Sequence, residues 1–530
     1  MKTFSGMKML ATAAWCVCIG ALAIPVAAQL VDRTMSPNAL NEGINKSLAQ
    51  QAGVGRGDAM TADSSAYIIG RDPFRAIRRG RQLFQRKFSM AQGLGPRHRD
   101  GAGDMNVELA LGAGVGDSCA SCHGRPRGSA GFGGDVVTRP DSRDAPHLFG
   151  LGLKEMLADE ITADLRSIEA AAKAQARKVR GSVTRTLTSK GINYGSITVG
   201  SDGSVDTSGV RGVDPDLRVR PFFSHGGTIS IREFVVGALN NEMGMQAFDP
   251  ELRAAGAGTT ITTAGGMVLD GSKDVIEFLP VSSATDDADF DGRVNEVPES
   301  IVDFLEFYLL NYFKPATYEQ TAETERGLKS FRKVGCATCH VPELTVDRDR
   351  RVADVETVFD PSRAIYNNLF STATPLFRTV DDGSGLPAMK VPNYGSFLVR
   401  NLYSDFKRHD LGPNFHERNY SGTMQTEFIT TPLWGVGSTG PYGHDGRSIN
   451  LREVILRHGG ESQASRDAFS RLPRAKQDAI LEFLNSLVLF PPDDTASNLD
   501  PGDRTAPGFP QAGHGSIKLT VLFNDPADRE

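Results

Sequence analysis

Cys119-Ala120-Ser121-Cys122-His123 and Cys336-Ala337-Thr338-Cys339-His340 are the residues of this chain whose types and spacing could do chemistry. Two cysteines separated by two residues can each bond to a vinyl group of one haem, and the adjoining histidine is then positioned to coordinate its iron. Two copies imply two covalently bound haem c groups, attached through Cys119, Cys122, Cys336 and Cys339, with His123 and His340 as iron ligands. Two other uses of such cysteine pairs fit less well. A zinc ribbon keeps its pairs within roughly 20 residues, whereas these lie 217 apart. A thioredoxin-like redox pair has no need of the histidine that both copies carry.

The remaining cysteines agree with export. Cys16 and Cys18 fall in the N-terminal apolar run, so a mature chain has none left for structural disulfides. Lys2, Lys8, the apolar stretch from Met9 and the small residues Val26-Ala27-Ala28 read as a signal peptide over 1–28, cut before Gln29. Haem attachment of this kind happens outside the cytoplasmic membrane, so the expected location is periplasmic or secreted, with no stable membrane insertion after cleavage. Without Lys2 and Lys8 the 58 basic residues become 56 against 64 acidic ones, a net charge of −8. That balance disfavours nucleic acid as a partner and suits a soluble electron-transfer protein.

The elements that must position these residues come as an internal repeat. Arg79-Gly80 with Phe84 precedes the first motif as Arg326-Gly327 with Phe331 precedes the second. Pro221 to Glu233 then parallels Pro441 to Glu453, with His225 lying 102 residues after His123 and His444 lying 104 after His340. The expected fold is mainly α: two tandem cytochrome c-like haem domains with loop-rich and small β insertions. The boundaries read as an N-terminal lead over 29–75, a first haem domain over 76–315 with an insertion at 153–215, a second over 316–490 and a tail over 491–530. Within the insertion, Leu153–Arg180 reads as a charged, Ala-rich helix and Ile192–Val205 as a hairpin turning at Asp202-Gly203. The insertions lie where an access lid could form. A strand is expected in the tail at Ile517–Phe523.

The copies diverge in the helix that follows each repeat. Apolar residues at Ile231, Phe234 and Val235, and at Leu451, Val454 and Ile455, recur with helical spacing. At the next turn His458 falls opposite Ala238. If these helices overhang the haems, the second iron gains His458 as a sixth ligand while the first faces a methyl group and stays open. An open iron can bind peroxide or dioxygen, whereas a bis-histidine iron only changes oxidation state. Glu242 follows close to the open site and could move a proton during O–O cleavage. Met243 and Met245 are competing sixth ligands for the first iron.

Several segments resemble the bacterial di-haem cytochrome c peroxidase superfamily, and more closely its di-haem oxidoreductase branch, also labelled thiol oxidoreductase. They are Gln92 to Pro96, Asp117 to Gly124, Leu148 to Gly152, Asp291 to Asn295, Gly335 to Pro342, Ser404-Asp405-Phe406 with His409 to Gly412, and Thr431 to Gly435 through His444 to Gly460. The resemblance implies a peroxidase-like enzyme with a catalytic first haem and an electron-relaying second one. Its donor would be a small redox protein, a cytochrome c or cupredoxin, and its oxidant peroxide or dioxygen. His458 stands where the peroxidases have methionine, which implies a lower potential. Glu242 stands at their catalytic glutamate, and Phe234 and Ala238 at a pocket glutamine and a proline, leaving a more apolar pocket. No histidine follows Cys119–His123 where many peroxidases have a removable ligand, since His147 comes too late. Ser224 replaces a bridging tryptophan, leaving Phe222 or Phe223 to line that gap. Calcium between the domains would map to Asp144, Thr439 and Pro441, the last two through carbonyls. A separate Asp287-x-Asp289-x-Asp291-Gly292 run begins like a calcium loop, with Pro298 where its bidentate Glu should be. Two other functions stay open: an oxygenase or protein-modifying oxidase on the same scaffold, and a pure electron-transfer cytochrome.

Overall fold

The computed structural model describes residues 47–89, 92–94, 116–123, 144–276, 283–287, 294–311, 321–354, 374–418 and 422–487. The signal peptide, much of the N-terminal lead, most of the calcium-like run and the tail strand lie outside these residues.

The repeat seen in sequence has a physical counterpart in how helices cross. In the first copy, helix α1 (Pro73–Gln85), which starts on Asp72 as N-cap with Pro73 in its first turn, packs on the apolar helix α2 (Glu299–Asn311). In the second, α3 (Ala322–Lys333) packs on α4 (Arg474–Asn485). Both crossings are made at a glycine. A Cβ on Gly80 would stand 2.1 Å from the Phe304 carbonyl, and one on Gly327 would stand 1.9 Å from that of Ala479, so no other residue permits either approach. This is the reason for the Arg-Gly pair ahead of each motif. Phe84 beside Tyr308 and Phe331 beside Phe483 fill the equivalent positions next to the crossings.

The later repeat is equally regular. Phe222 bridges Thr228 as Tyr442 bridges Ser448. Each bridge leads into a capped helix, Ile231–Asn241 and Leu451–Arg457. Ser230 accepts from Glu233 N–H while Glu233 accepts from Ile229 N–H, and Asn450, Glu453 and Ile449 repeat the pattern.

The architecture is mixed rather than mainly α. Among the described residues helix accounts for 39% and strand for 15%, and the strands form seven small antiparallel sheets. The sequence pattern missed most of them because two- to four-residue strands are too short for alternation to register. The insertion begins with the helix Leu151–Val179 and continues with strands β1 (Val183–Ser189) and β2 (Ile192–Val199). These turn at Lys190-Gly191, a hairpin the sequence reading overlooked, while the expected Asp202-Gly203 turn joins β2 to the short strand Val205–Asp206.

This insertion packs its apolar residues on the second repeat. Its helix and hairpin share a core with Leu344, Val346, Val399, Leu402, Phe406, Ile429 and Trp434 from the second repeat. Tyr194, fully buried on β2, donates to the Asp405 carbonyl, and Lys190 bonds to Thr345 O and Asp347. In return, residues 374–399 of the second repeat reach back. Buried Arg71 bonds to Asp382 and the Pro387 carbonyl, and Phe377 packs on Phe74. Each repeat therefore completes the core of the other.

Candidate functional site

At the first motif, Phe88 N–H bonds to the Asp117 carbonyl and Ser121 Oγ to the Ser118 carbonyl, starting the single helical turn Cys119–His123. At the second, left-handed Gly335 opens a 3-10 turn over Cys336–Thr338, closed by His340 N–H on the Cys336 carbonyl. Both turns bring two sulfurs and a histidine to one side of a short segment, which is the arrangement thioether attachment needs.

The chemistry of the donors fits a haem c at each motif. Among the described residues, none of the four motif cysteines is joined in a disulfide. Burial pushes the Cys119 and Cys336 thiols up to about 12, opposite to the lowered values of redox-reactive pairs. The three expected iron ligands are each oriented through Nδ1, which donates to a backbone carbonyl: His123 to Pro146 at 2.7 Å, His340 to Tyr403 at 3.0 Å and His458 to Val454 at 2.7 Å. A carbonyl on Nδ1 fixes the tautomer and leaves Nε2 as the ligand atom, the usual outer-shell support of a metal-binding histidine. Burial lowers the pKa of all three and keeps them neutral, as coordination requires.

The two sites then differ as the repeat implied. At the second, burial and then the nearby His458 push His340 down to about 4, so the two rings lie near each other. His458 lies seven residues after Leu451 and caps its helix, while Ala238 lies seven residues after Ile231 but within a helix that continues to Asn241. Phe415 meets the His458 ring edge-on at 5.4 Å. At the first site the ring of Phe234 lies 6.4 Å from His123, with Phe222 and Phe223 around it at 5.9 and 5.4 Å. One and two turns on from Phe234 come Ala238 and Glu242, both half-buried on a helix whose other faces are buried. Phe234, on the same side of the helix, is the residue that meets His123. Met243 and Met245 are packed into the hydrophobic core.

His147 is the other histidine close to His123, and both its ring nitrogens are occupied. Nε2 donates to the Trp434 carbonyl at 3.0 Å and Nδ1 accepts from Phe149 N–H at 3.3 Å. It cannot also serve an iron. The indole of Trp434 lies over left-handed Gly150, 2.8 Å from where a Cβ would stand. Sequence comparison of the repeats could not find this tryptophan, because it comes from the other copy. Ser224, where the bridging tryptophan was missed, accepts from Ile429 N–H at 2.8 Å and so joins the repeats through backbone.

Of the calcium residues, Asp144 and Pro441 are brought together around Gly446, and Asp144 N–H bonds to the His444 carbonyl at 2.8 Å. Thr439 uses its hydroxyl on the Gly435 carbonyl, leaving its own carbonyl for such a role. Among the described residues, the cluster of metal-type donors is a different one: Cys339, Asp405 and His409. His409 was quoted in the sequence only as part of a motif.

Residues 364–487 match the model of the family described as "Di-haem oxidoreductase, putative peroxidase". The segment holds His409, His444 and His458, and the family is the one the motifs resembled; it implies haem as cofactor and oxidoreductase chemistry. No curated protein matches the chain. Solved structures similar to it include a Kuenenia stuttgartiensis hydrazine synthase, 18% identical over 36% of this chain, with a TM-score of 0.21. The chain spans 55% of that synthase chain. A MauG-like protein associated with microbial copper homeostasis is 15% identical over 69% of this chain and 92% of its own, with a TM-score of 0.23.

Proposed function

We propose, for a chain whose residues 364–487 belong to the di-haem oxidoreductase family, an exported peroxidase-type enzyme with unequal haem sites. The first, on Cys119, Cys122 and His123, is catalytic. The second, on Cys336, Cys339, His340 and His458, passes electrons to it from a small redox protein such as a cytochrome c or cupredoxin. The observation that carries this reading is the contrast between helices: His458 lies near His340, while the equivalent Ala238 has no ligand atom and follows one turn after Phe234, whose ring is 6.4 Å from His123.

When bound, a haem supplies an iron that can take up peroxide or dioxygen and exchange single electrons. The chain's own residues do the rest. The Pro146 carbonyl holds His123 through Nδ1 and makes it a stronger ligand. Phe234, backed by Phe222 and Phe223, excludes water from one side of the pocket. Glu242, two turns from Phe234 and half-buried, takes a proton from one oxygen of the bound oxidant and returns it to the leaving one. Asp144 with the Thr439 and Pro441 carbonyls is the candidate calcium site, supported by the approach of Asp144 to Pro441.

A second reading, an oxygenase or protein-modifying oxidase, is favoured by the apolar pair Phe234 and Ala238, at the places where peroxidases have a glutamine and a proline. Visible and EPR spectra test the scheme first. One high-spin and one low-spin ferric haem are expected, and two low-spin haems would instead make the chain an electron-transfer cytochrome. Peroxide-dependent oxidation of reduced cytochrome c, set against dioxygen uptake with apolar substrates, separates peroxidase from oxygenase.

A further inference from the structure

His409 lies on the strand Arg408–Asp410, paired with Phe428 across a two-stranded ladder, and is buried. Its Nε2 stands 2.9 Å from Asp405 Oδ2 and its Nδ1 stands 2.8 Å from Glu461 Oε2. A carboxylate only accepts, so both ring nitrogens carry hydrogen and the ring is an imidazolium. Neither carboxylate is there by chance. Glu461 also accepts from Asp410 N–H through its other oxygen. Asp405 is buried in a loop where Asn401, Tyr403 and Phe406 all adopt positive φ near 55°, a conformation costly for such residues. Tyr194 holds that loop from the insertion by bonding to the Asp405 carbonyl at 2.9 Å, and the same loop supplies the Tyr403 carbonyl that orients His340.

Donor atoms of Cys339, Asp405 and His409 all lie within 4.8 Å of one another. With a free thiol this would be a metal-ion cluster. Thioether formation changes that, since Cys339 then has no thiolate to offer and its sulfur becomes part of the haem edge. What stays beside the haem is the imidazolium between its two carboxylates, a cluster one charge less negative than it would be with a neutral ring.

We propose that His409, held as an imidazolium between Asp405 and Glu461 and set against the sulfur of Cys339, keeps the reduction potential of the second haem higher than the two carboxylates would leave it without that charge. Reduction adds one electron, taken from the donor protein, and so one negative charge to the haem. A buried cation at the haem edge favours that state, and the low local dielectric makes its influence felt. Without the imidazolium the carboxylates would add to the lowering that follows from His458 in place of methionine, and the second haem would be harder for a small redox protein to reduce. This proposal rests on the haem assignment made above.

The test is potentiometric titration of the whole purified protein, with covalent haem counted per chain by its pyridine haemochrome spectrum. His409→Gln removes the cation and leaves both carboxylates, so the second haem becomes harder to reduce. The expected change in the reduction equilibrium is about tenfold, or ~59 mV for one electron. Glu461→Gln removes a half-exposed carboxylate instead and shifts the same haem the opposite way by a smaller factor. Opposite signs, with the first haem unmoved, are the expected result, and a merely structural role would not produce them. Unmoved potentials in two-haem protein, or shifts of one sign, overturn the proposal alone. A wild-type chain without covalent haem at Cys336 and Cys339 overturns the haem assignment and the proposal with it. If His409→Gln does not fold, the sign of the Glu461→Gln shift decides.

Discussion

His147 donates its Nε2–H to the backbone carbonyl of Trp434 at 3.0 Å, tying the segment after the first haem motif to the segment before His444. The Phe149 N–H on its Nδ1 fixes the neutral tautomer, because an added proton there would face another N–H.

This contact makes stability depend on pH. Burial pushes the His147 pKa down to about 4 from an ordinary 6.5. The folded state thus binds fewer protons than the unfolded state between these values, and stability is complete above about 6.5 and lost as pH falls towards 4. The loss is expected to be on the order of 1 to 3 kcal/mol. Urea unfolding at pH 7.5 and 5 measures it. His147→Gln should destabilise at pH 7.5 yet flatten the dependence, and an equally steep profile in that variant assigns the effect to other groups.

His458→Met should raise the potential of the second haem while keeping it low-spin, since a thioether stabilises the ferrous state. His458→Ala should convert that haem to high-spin. Either variant leaving the EPR spectrum and potential of the second haem untouched would remove His458 from the iron.

Glu242→Gln should preserve both haem spectra and the binding of a small ligand such as cyanide, but slow turnover with peroxide by about 100-fold, the low end for loss of a general acid–base. Stopped-flow mixing of the reduced protein with peroxide reads the step directly. Unchanged turnover shows that the proton travels by another route.

Tyr194→Phe deletes the hydroxyl that bonds to the Asp405 carbonyl from a fully buried position. A cost of about 1 kcal/mol is expected, rising to ~3 if no water reaches the abandoned carbonyl. Because that loop also orients His340, the variant should perturb the second haem spectrum more than the first. Proteolysis of the native protein would show β1 and β2 released together from the second repeat. Equal effects on both haems would mean that the insertion acts on the whole fold.

The sequence by itself determined what depends on neighbours along the chain. Cys119 to His123 and Cys336 to His340 are local motifs. The repeat could be read because Gly80 and Gly327, and the Ser230–Glu233 and Asn450–Glu453 caps, solve the same local packing problem twice. The contrast of Ala238 with His458 followed from that alignment. Only the tertiary structure decided how the copies lean on each other. The insertion turned out to buttress the second site, through Tyr194 and Asp405, because its apolar residues are satisfied by a core that no local pattern specifies. His147 comes too late in the chain to read as a ligand, but what it does instead was not legible, because the carbonyl that occupies it comes from 287 residues away. His409 and Glu461 are 52 residues apart, and nothing in their spacing shows that a strand and a turn pair them, with His409 set beside Cys339. Covalent attachment is written in short motifs because it needs adjacent atoms; the charges that tune it act through space, and only the folded chain sets those distances.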